Sequence, residues 1–193
     1  MANIDRKERK LGYFESYAAT IPSCVVSMVA VLSSSSSNKA AEGRLTDEAI
    51  RRGVEYIANR HPHLRCTLYR TDDDELNLRL NEPAVSKLDQ SHLEIIAVES
   101  DDGWKDIVHK ESNTGFNLGA SIPYWRVVFI RGPESDVLLV KYHHCIADGT
   151  SGWILINDLL TAATSSANAN TASNNEDKVH ELPMLPSVDK MCF

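Results

Sequence analysis

The sequence predicts a mixed α/β fold, a mixed β-sheet with helices packed on it. Three patterns carry that expectation. Short runs rich in Val, Ile and Leu recur at strand length. Other segments repeat apolar residues at helical spacing. Two alternating segments flank an acidic turn, which reads as a hairpin, so strands and helices interleave along the chain.

Taken in order, residues 1–20 are charged, then mixed with the aromatics Tyr13, Phe14 and Tyr17, and lead into the first strand. Ile21–Leu32 (IPSCVVSMVAVL) has the length of a signal-peptide core. Acids as well as bases precede it, however, and a serine run follows where a cleavage pattern would stand. It is also too short to cross a bilayer. Its valines fit a buried strand. Ser33–Gly43 is polar and repetitive, the composition of a mobile loop. Thr46 can cap a helix whose first turn carries Asp47 and Glu48, where the helix dipole favours acids. Leu45 and Ile50 stand at the two positions of a hydrophobic staple. Ile50, Val54 and Ile57 extend one stripe until Pro62 stops it, so the helix runs from Asp47 to Arg60.

Residues 64–70 and 76–81 form the hairpin around Asp72–Glu75, and 93–99 is a third strand candidate. Residues 102–112 read as a short helix, and 124–132 and 136–144 as strands joined through Gly132-Pro133. After Asp148-Gly149, Trp153, Ile156 and Leu160 recur at helical spacing, with Thr150 or Ser151 as cap. Trp104, Trp125 and Trp153 read as packing residues, and His61 and His63 as surface residues at a helix end. The organisation expected is a lobe over 1–163, a polar linker over 164–181, and a Pro-containing segment over 182–193.

Composition narrows the function classes. With 193 residues, 42% hydrophobic and 24% charged, the chain supports one substantial core. A net charge of −7 without a Lys/Arg cluster argues against nucleic acid and acidic membrane surfaces. Four cysteines without CxxC spacing read as reduced thiols of a cytoplasmic protein.

The chemistry concentrates in YHHCIADGTSG, residues 142–152. On a strand, His144 shares a face with Tyr142 and Val140, while His143 and Lys141 take the other. One histidine can therefore look into a cleft and act as a base, since neutral imidazole takes protons near physiological pH. Asp148 can fix the turn or pair with a cation, and Gly149 permits a backbone angle that a side chain opposes. Two other readings use the same residues. A metal site from His143, His144 and Asp148 finds no second ligand cluster. A Cys145 nucleophile with His144 as base is opposed by strand alternation, unless the turn breaks it.

His143–Gly149 reads HHxxxDG, and in this the chain resembles the acyltransferase superfamily with the chloramphenicol acetyltransferase fold. That superfamily includes nonribosomal peptide condensation domains, alcohol acetyltransferases and the plant BAHD enzymes. Asn59–Arg65 is similar to the RHxxLR stretch of condensation domains, Gly115–Ile130 to the family's lead into the strand before the motif, and Leu182–Val188 to its Pro-rich crossover. The alcohol acetyltransferase-like branch looks nearest.

The resemblance implies one lobe of a two-lobed fold, with 182–193 starting the crossover to a second lobe that this chain does not carry. It implies acyl transfer from acyl-CoA, or from an acyl carrier protein, to a hydroxyl or amine acceptor. His144 would be the general base, with His143 and Gly149 supporting the motif. Asp148 would be paired with an arginine, Arg65 first and Arg126 second. No permanently bound cofactor and no metal is implied; acyl-CoA is a co-substrate, and a second lobe or another chain is a possible partner. The alternative is an inactive lobe that binds or assembles. A membrane-bound glycerolipid acyltransferase, which His143 and Asp148 also fit as H-x4-D, expects apolar membrane segments.

Overall fold

A computed structural model of the chain describes residues 7–33, 44–81, 88–118, 123–165 and 182–184. The chain enters through a short strand β1 (Glu8–Lys10) and a helix α1 (Tyr13–Ala19). Helix α1 was not expected. Glu15, three residues in, reaches back to accept from the Gly12 N–H at 2.8 Å, which satisfies a donor that the helix start would otherwise orphan. Strand β2 (Val25–Ser33) follows. It is only half-buried where a buried strand was expected, because it lies at a sheet edge.

Helix α2 (Asp47–Arg60) has the expected bounds, with the Thr46 hydroxyl accepting from the Ala49 N–H at 3.1 Å. Pro62 does stop it, and a 3-10 turn over Pro62–Arg65 delays the next strand to β3 (Cys66–Arg70). Strand β4 (Leu76–Leu80) completes the hairpin, with Asp74 in the turn at φ 63°. Then come β5 (Leu93–Ala97), α3 (Trp104–Ser112), β6 (Trp125–Arg131), β7 (Ser135–His143) and α4 (Gly149–Ser165). Helix α4 runs two residues into the stretch read as linker; residues 34–43, 166–181 and 185–193 lie outside the described residues.

Two sheets form among the described residues. The smaller has the order β1-β4-β3, and the larger the order β2-β7-β6-β5. In the larger sheet β7 pairs antiparallel with both neighbours, while β5 and β6 run parallel, with α3 between them in sequence. Alternation along β6 and β7 divides the sheet. One face presents Trp125, Val127, Phe129, Leu138, Val140 and Tyr142 to the core built with α2 and α4. The other presents Val128, Ile130, Val137 and Leu139, against which Ile107, Val108 and Trp104 of α3 pack.

Trp125 is buried as expected, and its indole N–H donates to the Leu64 carbonyl at 2.7 Å. Trp153 is not core: it is 61% exposed, because α4 turns it outward while Leu155, Ile156 and Leu159 face the sheet side.

Helices α2 and α4 touch through a glycine. A Cβ on Gly53 would stand 2.6 Å from the backbone oxygen of Leu159, a group that cannot move aside. Gly53→Ala is therefore expected to lower the unfolding free energy by about 1–3 kcal/mol despite alanine's better helix propensity. Urea unfolding followed by circular dichroism checks this.

Candidate functional site

Strand β7 ends at the first histidine of the motif, and the backbone there separates the two rings. His143 is fully buried. Its Nε2 lies 2.9 Å from the Ile21 carbonyl, and its Nδ1 lies 3.2 Å from the Cys145 N–H. A carbonyl only accepts and an amide N–H only donates, so the ring is neutral, with its proton on Nε2. Burial lowers its pKa from the ordinary histidine value, which agrees with that state. Phe116 stands edge-on to the ring at 6.3 Å. His143 is thus a strut between the loop before β2 and the turn after β7.

His144 is the exposed member of the pair. Its backbone N–H donates to the Cys24 carbonyl at 2.8 Å, which extends the β2–β7 ladder by one bond. Its ring lines an open cleft of about 470 Å³, whose wall also includes Arg9, Glu15, Tyr17, Cys24, His63 and Asp148. Of these, Arg9, Glu15 and Tyr17 come from β1 and α1 and were missed in the sequence. The Glu15 reach-back at Gly12 was the signal that could have found that helix. Cys145 points into the core, and burial pushes its thiol up to about 12, so it stays protonated. The cysteine-nucleophile reading fails on that ground.

Among the described residues Asp148 has no arginine partner, contrary to expectation. Its Oδ1 accepts from the Ser151 N–H at 2.8 Å and from the Ser151 hydroxyl at 2.7 Å, which makes it the N-cap of α4. These two donors hold its carboxyl below the ordinary carboxylate value. The cap is therefore Asp148, not Thr150 or Ser151, and the carboxylate lies in the cleft wall. Arg65 is buried and bends back on α2, donating from Nη1 to the carbonyls of Ala58 and Asn59, each at 2.8 Å. Those carbonyls sit at the helix end, where a cation is favoured.

Arg126 lies on the α3 face of the sheet, paired with Glu94 and 3.6 Å from Glu111. Lys141 joins it there, 3.3 Å from Glu111 and over the Phe116 ring. Arg65 thus braces the end of α2 and Arg126 ties β6 to β5 and α3, and neither pairs with Asp148.

Gly149 also departs from expectation. It opens α4, its φ is not in the left-handed region, and a Cβ there would meet nothing within 4 Å. The tight glycine is Gly152, where a Cβ would collide with the Tyr142 hydroxyl and stand 2.6 Å from Met28 Cγ. Tyr142 is held in place because its hydroxyl donates to the Asp148 carbonyl at 2.5 Å.

His61 and His63 are not surface residues. His61 Nε2 is 2.9 Å from Asp158 Oδ2, which Arg60 also reaches at 3.0 Å, tying α2 to α4. His63 is part-buried beside Arg9 and lines two cavities: the cleft of His144 and an apolar one of about 340 Å³. Among the described residues no group of three His, Cys, Asp or Glu side chains could hold a metal ion. No helix among them is long and apolar enough to cross a membrane.

The profile of the Condensation domain family matches residues 33–180. Cyclosporin synthetase simA of Tolypocladium inflatum is 29% identical over 118 residues, 61% of this chain and 1% of that protein. The starter condensation domain of rhizomide synthetase RzmA superposes with a TM-score of 0.65 at 12% identity. That match covers 88% of this chain and 40% of the solved one. The X-domain solved in complex with OxyB from teicoplanin biosynthesis gives a TM-score of 0.63 at 19% identity, covering 91% and 36%. The chain thus spans well under half the length of the solved proteins it superposes on. The fold is one lobe of the chloramphenicol acetyltransferase-like architecture.

Two measurements follow from this geometry. Asp148→Ala is expected to cost about 0.5–2 kcal/mol, the value of a helix cap, with Asp148→Asn close to wild type; urea unfolding separates this from the roughly 3–5 kcal/mol of a broken buried ion pair. The folded-state pKa of His63 is lowered to about 4 by burial, while its unfolded value is 6.5. Stability is therefore full above pH about 6.5 and falls by on the order of 2–3 kcal/mol as the pH drops towards 4, where the unfolded chain binds the proton first. Unfolding curves across that range should show His63→Phe with a flatter dependence.

Proposed function

The chain belongs to the condensation-domain family, and we propose that it is the base-bearing lobe of an acyl-transfer site, with His144 as the general base. The observation that carries this is the division of labour at the end of β7: His143 has both ring nitrogens occupied, while His144 opens on the cleft. A neutral, accessible imidazole can take the proton from an acceptor as it attacks a thioester carbonyl, an effect worth typically ~10²–10⁴-fold. The acceptor's N–H or O–H bond breaks, a bond to the acyl carbon forms, and the thiol leaves.

Attack is direct, since Cys145 is turned inward and protonated. Gly149 leaves the space beside the motif open to a substrate.

The condensation-domain match supports an amine acceptor and a donor thioester tethered to a carrier protein. Acyl-CoA, the donor first suggested by the motif, would present the same thioester chemistry. The alcohol acetyltransferase-like branch would instead present a hydroxyl. No tightly held cofactor is needed for any of these.

A second reading, a lobe that binds and assembles without turnover, is favoured by the exposed aromatics Tyr13, Phe14 and Tyr17 on α1, at 77%, 72% and 61% exposure. It also draws on the X-domain, solved in complex with OxyB.

The test supplies the protein with a carrier-tethered aminoacyl thioester and, in parallel, hexanoyl-CoA, against amine and alcohol acceptors, with product read by mass spectrometry. His144→Ala should lower turnover by about 10²–10⁴-fold with an unchanged unfolding midpoint. Turnover equal to wild type would overturn the base assignment. A wild-type protein that turns over nothing yet retains a bound partner supports the second reading.

A further inference from the structure

A second imidazole on the cleft wall is held in a defined protonation state. Arg9 and Glu15 form a two-pronged pair, Nη1 to Oε2 at 2.8 Å and Nη2 to Oε1 at 2.7 Å, nearly sealed from solvent. The same Arg9 Nη2 lies 3.3 Å from His63 Nε2. A guanidinium only donates, so Nε2 must accept and the His63 proton sits on Nδ1. Gly12 completes the chain by donating to Glu15. Four groups in a row thereby set one tautomer.

What remains is the Nδ1–H. Among the described residues no acceptor meets it, and it is not one of the sealed, partnerless nitrogens such as Arg9 Nε. The ring itself lines both cavities. The cleft of His144 and the smaller cavity share His63, Ile146, Ala147 and Ser151 as walls. Beyond that shared wall the smaller cavity is lined mainly by Pro62, Leu64, Ile154 and Leu155.

We propose that His63 is a ligand-recognition residue, whose Nδ1–H donates to a neutral oxygen, a carbonyl or hydroxyl, of a molecule whose apolar part fills the cavity lined by Pro62, Leu64 and Leu155. A neutral partner is specified because Arg9 is already neutralised by Glu15 and the imidazole itself carries no charge. Burial, with Arg9 beside it, lowers the His63 pKa to about 4, so it stays a neutral donor at physiological pH. A donor facing an apolar cavity rewards a matching oxygen and penalises its absence, because the unpaired group would be desolvated. The inference rests on the acyl-transfer reading for the ligand's class, an apolar chain bearing a carbonyl, but its test reads binding instead of turnover.

Two-bond ¹H–¹⁵N spectra of the imidazoles in the full chain at pH 7 should show His63 as the Nδ1–H tautomer. Titration with the hexanoyl thioester of N-acetylcysteamine should then shift the His63 resonances. His63→Phe should weaken that binding about tenfold, and His63→Asn, whose amide nitrogen replaces Nδ1, should stay within about twofold of wild type. His144→Ala should bind like wild type while losing turnover, so a failure of the base assignment leaves the His63 result standing. The Nε2–H tautomer, no binding of the probe to wild type at millimolar concentration, or equal affinity in His63→Phe would each overturn the proposal. The tautomer measurement needs no variant to fold.

Discussion

The structure depends on one neutral imidazole between two backbone groups. His143 accepts from the Cys145 N–H and donates to the Ile21 carbonyl, so the segment before β2 and the turn after β7 are set by the same ring. A charged ring would lose the first bond, and any ring turned outward would leave a buried N–H and C=O without partners. With His143 fixed, the strand has to end there. Cys145 then drops into the core, His144 swings to the cleft, and four residues later Asp148 meets the start of α4. The motif's spacing is, in physical terms, the length of chain needed to close a strand and cap a helix.

The two faces of the large sheet do different work. The face towards α2 and α4 is apolar, and α4 meets it through Gly152, where bulk is forbidden. The face towards α3 mixes a small apolar cluster with the Arg126–Glu111–Lys141 network. Lys141 is almost fully buried, and burial pulls its pKa down while Glu111 raises it. Such a network specifies how α3 sits on the sheet more than it stabilises it, because desolvation offsets much of the attraction. Phe116 bridges this network to the His143 ring, so the packing of α3 and the geometry of the motif are continuous.

Much of the fold was legible because burial writes a period into the sequence. Helix α2 showed its stripe and its cap, the hairpin its alternation, and β6 and β7 their unbroken apolar runs. What was illegible had no such record. Helix α1 buries only Ala18 and displays its aromatics outward, so it carries no apolar stripe. Trp153 occupies helical spacing by sequence but not by orientation. In the site, the two histidines were separable by alternation alone. The partner of Asp148 was not, because a serine three residues away competes with any distant arginine at far lower entropic cost. His63 looked like a surface residue since Arg9, which buries it, lies more than fifty positions away in the chain.

The pairing of β2 with β7 has a consequence in time. Val25 meets His143, and every bond of that ladder joins segments about a hundred residues or more apart. At roughly 5–20 residues per second of synthesis, the first of these strands emerges from the ribosome several seconds before its partner exists. Through that interval a nine-residue strand of mostly Val, Met, Ala and Leu has no native neighbour. The His143 strut closes only when the last residues of the ladder arrive. The position of His144 is thus among the last features of this lobe to form, and the nascent chain has to keep an apolar strand soluble until then.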